Sequence, residues 1–208
     1  MSSSSRGGYF TASPGDSVVR TWAAEANRLA PTVLSPRALH YLIMRPAEGS
    51  GTGIFVRDGC TVPHESTLAG YWGHLTHHPN PGSHHALELP PIPSAGGFPP
   101  LCVDAHHQCL RGSPLPTHAG LANHACEDPS CSPYLLHLPD CAIPIVVLKP
   151  RRSLRGGTEL TYNYDAHRRS GAYTVSAETA GLLAARGRPC RPCRCAGLSP
   201  CPRERFFL

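Results

Sequence analysis

IPIVVLKPRRSLRGGTELTYNYD, from Ile143 to Asp165, is the stretch on which the fold reading turns. Ile143 to Pro150 is an almost unbroken apolar and β-branched run, the pattern of a strand buried on both faces. A basic bend follows, and Gly156-Gly157 then turns the chain into a Thr- and Tyr-rich extended segment that ends the last recognisable element.

The same grammar of short extended runs and sharp turns extends upstream. HYLIMRP (His40 to Pro46) reads as a strand, GSGTGIFV (Gly49 to Val56) as a glycine turn feeding a second, and STLAGYWG (Ser66 to Gly73) as a third. LCVDA (Leu101 to Ala105) is a further strand, and LANHAC (Leu121 to Cys126) follows a Pro-rich bend. Residues 74–100 are dominated by His, Pro, Gly and Ser with no period, and read as an irregular insertion. Its five histidines (His74, His77, His78, His84 and His85) have no fixed geometry, so a solvated loop is a simpler reading than a metal site. Residues 1 to about 20 look disordered, and Thr21 to Leu29 has helical character with a stop at Pro31.

Composition agrees with a mainly β fold. The chain has 208 residues, room for one domain plus a loosely ordered tail, and its 23 prolines and 20 glycines favour short strands and turns over long helices. The formal charge is +5, carried by arginine, since Lys149 is the only lysine. A GC-rich coding sequence explains that balance as well as a functional basic surface does, so charge alone assigns no partner. Met1 to Phe10 lacks the apolar region of a secretory signal, and Cys141 to Leu148 is too short to span a bilayer. A soluble intracellular protein without membrane contact is expected. Ten cysteines in a reducing compartment are thiols or metal ligands before they are disulfides, and Cys190, Cys193, Cys195 and Cys201 crowd into an Arg/Pro-rich segment with no core of its own.

Read in order, these segments resemble the motifs of the SET family of protein lysine methyltransferases. GTGIFV (Gly51 to Val56) resembles its Gly-x-Gly turn and strand, LAGYWG (Leu68 to Gly73) its Tyr-x-Gly strand, and VDA (Val103 to Ala105) its Asp-Ala step. LANHACEDPSC (Leu121 to Cys131) is similar to the Asn-His-Ser-Cys-x-Pro-Asn signature and RGGTELTYNYD (Arg155 to Asp165) to Gly-x-Glu-Leu-Thr-Tyr-Asp-Tyr; CRCAGLSPC (Cys193 to Cys201) resembles the post-SET cysteine cluster. Each motif is weak singly, and their collinear order carries the resemblance, which spans roughly residues 38 to 202. It implies a SET-domain fold of short strands in small sheets, few helices and a pseudo-knot near the C-terminus. An N-terminal extension, partly disordered, covers 1–37, the SET domain 38–166 with its insertion at 74–100, and a C-terminal segment 167–208 with a zinc cluster at 190–201.

The implied activity is methyl transfer from S-adenosylmethionine to a protein lysine, with a histone tail as the leading substrate, nucleosomal DNA as an added contact, and the nucleus or chromatin as the location. By resemblance, Gly51, Thr52 and Gly53 let the backbone approach the cofactor, Asn123 and His124 hydrogen-bond it, and Tyr71, Tyr162 and Tyr164 wall the lysine passage. Tyr164, also against the cofactor, is the main catalytic tyrosine, and Tyr at position 162 favours mono- or dimethylation. Such chemistry asks chiefly for alignment in a dry passage, where a neighbouring sulfonium favours the neutral amine. Cys193, Cys195 and Cys201 supply three ligands of a structural zinc site, which needs a fourth; the family places it at Cys126, while Cys190, in a C-x2-C pair with Cys193, competes.

The chain departs from the pattern at Gly120-Leu121 (family Arg-Phe), Ala125 (Ser), Ser130 (Asn), Gly70 and His74 (acidic) and Asn163 (Asp), and its cysteine spacing is one residue longer. Two other readings therefore stand beside the enzyme. One is a catalytically inactive SET-like interaction module. The other is a zinc-containing nucleic-acid-binding protein that uses Lys149 to Arg155 and the basic tail Arg186 to Arg194.

Overall fold

The computed structural model describes residues 9–47, 51–78, 86–89, 101–105, 115–125 and 128–163. The first half of the chain runs β1 (Phe10–Ala12), α1 (Ser17–Val33), α2 (Ala38–Tyr41), β2 (Leu42–Ala47), β3 (Gly51–Val56), β4 (Thr61–Val62), β5 (Ala69–Gly70) and β6 (Gly73–Thr76). The second half adds β7 (Ala86–Glu88), β8 (Cys102–Asp104), a 3-10 turn (Ala119–Leu121), β9 (Asn123–His124), β10 (Cys131–Leu136), β11 (Ile145–Pro150), β12 (Leu154–Arg155) and β13 (Thr161–Tyr162). The protein is mainly β, with short strands gathered into small sheets of order β1-β6-β8-β7, β10-β11-β5, β12-β4, β13-β9 and β2-β3. No described helix is long and apolar enough to cross a membrane.

The continuous apolar run behaves as its pattern predicts. β11 is the central strand of its sheet, antiparallel to β10 on one side and to β5 on the other, with Ile145 to Leu148 fully buried. The STLAGYWG run, in contrast, is two strands. It breaks at Tyr71-Trp72, where the Trp72 indole folds back over Gly70 so closely that a Cβ there would lie 1.9 Å from the ring. The break moves the chain from the β11 sheet to the β1 sheet.

The expectation of disorder to about residue 20 does not hold over residues 9–20. β1 lies parallel to β6, and the Asn27 side chain holds both the N–H and the carbonyl of Phe10 at 2.7 Å, standing in for a ladder partner. α1 begins at an Asp16 cap that accepts the Val19 N–H at 2.9 Å and lays Val19, Trp22, Ala23, Ala26 and Ala30 into the core. It also runs through Pro31 to Val33, past the predicted stop. A proline in the last turn removes one intrahelical bond, with little helix left to disrupt.

The insertion at 74–100 is ordered at both ends of its described part. β6 continues to Thr76, and β7 pairs with β8 through Leu87↔Val103 and Glu88↔Cys102. Three-residue strands are too short to show a period, and this one is stabilised by a partner from outside the insertion.

The C-terminal described segment produces the crossing that places the site. After β12 pairs with β4, the turn at Gly156-Gly157 (Gly157 φ 82°) sends residues 158–162 between two separate elements. On one edge Val56 donates to the Thr158 carbonyl and Leu160 to that of Ile54, both at 2.8 Å; on the other, β13 runs parallel to β9. Successive backbone groups of an extended strand point to opposite edges, so one short segment bonds to both.

Candidate active site

Three of the sequence motifs meet at one point. The parallel pairing of β13 with β9 sets Thr161 opposite Asn123 and Tyr162 opposite His124, and Phe55 bridges Glu159 across the other edge. The Asn123 and Glu159 side chains consequently fall over β3 at Gly53. A Cβ on Gly53 would lie 2.7 Å from Glu159 Oε1, 3.0 Å from Asn123 Nδ2 and 3.1 Å from the Ala47 Cβ. A side chain at this position requires the ends of Glu159 and Asn123 to shift, so glycine leaves the pair its present placement.

Asn123 Nδ2 donates to Glu159 Oε1 at 2.6 Å. A carboxylate only accepts, so the contact fixes which end of the amide faces Glu159 and leaves Asn123 Oδ1 as the acceptor at the other end. Asn123 is half-buried, whereas His124 beside it is 7% exposed. Ala125 N–H bonds the Tyr162 carbonyl at 3.2 Å, which extends the β9–β13 junction by one residue.

Ser130, one of the departures from the family pattern, fastens the crossing strand. Its buried hydroxyl donates to the Glu159 carbonyl at 2.8 Å and accepts the Thr161 N–H at 2.9 Å, while Ser130 N–H bonds Thr161 Oγ1 at 3.1 Å. The hydroxyl thus spans the backbone on both sides of Leu160. Asp128, two residues earlier, sits at φ 41°, and its two carboxylate oxygens accept from the terminal nitrogens Nη1 and Nη2 of Arg152 at 2.8 and 2.9 Å. That hydrogen bond, with the charge beside it, holds the Asp128 carboxyl below its usual range. Arg151 closes the same loop through its N–H to the Ser130 carbonyl at 2.9 Å and its side chain to that of Pro129 at 3.5 Å. Two arginines of the basic bend thus also hold the protein's own loop, from solvent-exposed positions.

Tyr71 and Tyr162 are both buried, at 6% and 7% exposure. Tyr71 N–H bonds the Val146 carbonyl at 2.8 Å, and its ring stands edge-on to that of buried His118, centroids 6.2 Å apart at 76°. Gly51 and Thr52 are exposed at the start of β3, with Gly51 at φ 79°. Tyr164 and the cysteines Cys126, Cys190, Cys193, Cys195 and Cys201 lie outside the described residues. Among the described residues no group of three or more His, Cys, Asp or Glu is placed to hold a metal. Cys102 and Cys131 are buried, and burial first of all pushes each thiol up to about 12, so neither offers a thiolate near neutrality.

Compared with known protein families and curated proteins, the chain matches none.

The sequence reading had passed over Glu159, Ser130 and His118. Glu159 lay inside a quoted motif, but a glutamate in an extended segment ordinarily faces water, and only the crossing beside β9 turns it onto Asn123. Ser130 registered as a deviation because its role depends on backbone groups some thirty residues away.

Proposed function

We propose that the chain is an S-adenosylmethionine-dependent protein-lysine N-methyltransferase of the SET type. The observation that carries this reading is the convergence of Gly53, Asn123 and Glu159 where the segment 158–162 crosses between β3 and β9. Three separately recognised motifs, far apart in the chain, meet at one place, and that supports reading their order as the mark of a common site.

The residues present fit the cofactor's polar end. Asn123 Oδ1, with its amide nitrogen tied to Glu159, offers an acceptor suited to an ammonium group, and the exposed Gly51-Thr52 backbone leaves room for close approach. His124 is the second holding residue. S-adenosylmethionine supplies, when bound, a methyl group on a positively charged sulfur. The protein's part is to align the lysine amine opposite that sulfur and keep water out. Tyr71 and Tyr162 offer buried rings for the wall of such a passage, and Tyr164, two residues beyond Tyr162, orients the amine. The lysine reaches the passage as the amine, its proton having gone to solvent. A structural zinc held by Cys193, Cys195 and Cys201 with Cys126 or Cys190 belongs to the same proposal, as do a histone-tail substrate and a chromatin location.

The test is incubation with radiolabelled S-adenosylmethionine and a panel of histones and cell extract, wild type against Tyr164→Phe. The expected outcome is labelling of a protein lysine that the substitution abolishes. Equal labelling by both removes Tyr164 from the chemistry, and no labelling together with no calorimetric binding of S-adenosylmethionine defeats the proposal.

A further inference from the structure

His118 is a buried histidine, 3% exposed, whose position joins the two halves of the candidate site. Its Nδ1 accepts the Gly120 N–H at 3.1 Å and so caps the 3-10 turn that leads, within two residues, into Asn123. An Nδ1 that accepts carries no proton, so the neutral ring bears its proton on Nε2. The same ring stands edge-on against Tyr71. Around it the backbone is tied to β5, which ends one residue before Tyr71: Gly70 and His118 form a parallel bridge, and Gly70 N–H bonds the Thr117 carbonyl at 2.9 Å. The imidazole thus touches Tyr71 through its ring and, through Nδ1, the turn that leads into the strand of Asn123.

We propose that His118 is a positioning residue that sets the Tyr71 ring against the Asn123 strand, a role that rests on the methyltransferase reading. These two contacts of the ring are chemically separable. His118→Asn keeps a short side-chain acceptor for the Gly120 N–H but removes the ring from Tyr71. His118→Phe keeps a ring edge for Tyr71 but leaves the Gly120 N–H without its acceptor.

The experiment compares wild type and both variants for calorimetric affinity toward S-adenosylmethionine and for kcat on the labelled substrate at saturating S-adenosylmethionine. Because misaligned reacting groups lose rate without losing affinity, His118→Asn is expected to lower kcat by about tenfold or more and to leave cofactor affinity within about twofold. His118→Phe is expected to show the reverse, weakening affinity by about fivefold or more with kcat held within about threefold, since an unpaired buried N–H disturbs the Asn123 strand. A purely structural histidine moves both quantities together in both variants, and that result overturns the proposal, as does no change in either. ¹⁵N NMR of the wild-type imidazole supplies a readout independent of any variant's folding; a protonated Nδ1 at neutral pH overturns the cap on which the proposal stands. A wild type that neither binds nor transfers brings down this proposal together with the reading beneath it, whereas an active wild type without the split brings down only this one.

Discussion

The Asn123 amide and the Glu159 carboxylate meet at 2.6 Å in the space that Gly53 leaves by having no side chain. Strands β9 and β13 bring the two residues side by side, and β3 forms the surface beneath them. The triad is therefore a property of the chain crossing, and substitutions in any of the three strands should register at the same place.

Gly53→Ala is the most direct of these. The added methyl meets Glu159 Oε1 at 2.7 Å, which must swing aside, and Asn123 Nδ2 at 3.0 Å, which must give slightly. Because the atoms met are the ends of flexible side chains, the stability loss is expected at the low end of overpacking costs, about 1 kcal/mol, which urea denaturation measures. Displacing Asn123 also weakens S-adenosylmethionine binding by about tenfold or more in calorimetry, an expectation based on the loss of one well-placed hydrogen bond to a charged group. An alanine variant with unchanged affinity would show that the amide is not part of the cofactor site.

Glu159→Gln separates orientation from space. Glutamine fits the same volume, yet its amide satisfies Asn123 with either end, so the placement of Oδ1 is no longer enforced. Stability is expected to fall by about 1–2 kcal/mol, as a hydrogen bond to a charged group gives way to a neutral one. Circular dichroism melting checks the stability, and cofactor titration checks the orientation. A variant as stable as the wild type and as strong a binder means the carboxylate only fills room.

Ser130→Ala should be costly for so small a change. The hydroxyl satisfies both the Glu159 carbonyl and the Thr161 N–H from a position 4% exposed to solvent. Its removal leaves two polar backbone groups without that partner beside a buried strand, a loss of about 1–3 kcal/mol by chemical denaturation. Hydrogen exchange at the Thr161 amide should rise well above that of Leu160, whose bond to Ile54 is untouched.

Legibility in the sequence followed the length of the signal. The run at Ile145 to Leu148 announced a buried central strand because β-branched residues filled it without interruption. The Gly51-Thr52-Gly53 and Asn123-His124 motifs were visible as words, though their meeting was not, since the contact spans seventy residues and depends on the path of residues 158–162. β1 and β7 were invisible for a different reason: three residues show no period, and each is held by a long-range partner, β6 for one and β8 for the other. Asn27, which pins Phe10, reads along the sequence as an ordinary helix-surface residue.

The buried thiols predict an alkaline weakness. Cys102 and Cys131 are pushed from 9.0 to about 12 by burial, so the folded state holds their protons more tightly than the unfolded chain does. The stabilisation from a raised pKa is complete below the unfolded value and disappears as pH rises through the folded one, which sets the window at about pH 9 to 12. The difference in urea midpoint between wild type and a Cys102→Ala, Cys131→Ala double variant should shift in the variant's favour across that window. At neutral pH, Ellman's reagent should label native Cys60 and Cys141, both half-buried, well before Cys102 or Cys131. Rapid modification of either buried thiol in the native state would show that its strand opens on the reagent's timescale.

The cysteine cluster supplies a test with a metal as its readout. A tetrahedral structural site takes four ligands, and in the proposed zinc site the C-x-C-x5-C spacing of Cys193, Cys195 and Cys201 would supply three. The purified protein should therefore contain one zinc per chain by mass spectrometry of the metal, and Cys195→Ser should lose it. Cys126→Ser and Cys190→Ser then identify the fourth ligand, because only the true one lowers zinc content when replaced. Cys126 follows β9 by two residues, so a metal there ties the tail to the strand that carries Asn123, and chelation should weaken S-adenosylmethionine binding along with removing zinc. Loss of zinc in Cys190→Ser with affinity intact after chelation would instead make the cluster a self-contained knuckle with no bearing on the site.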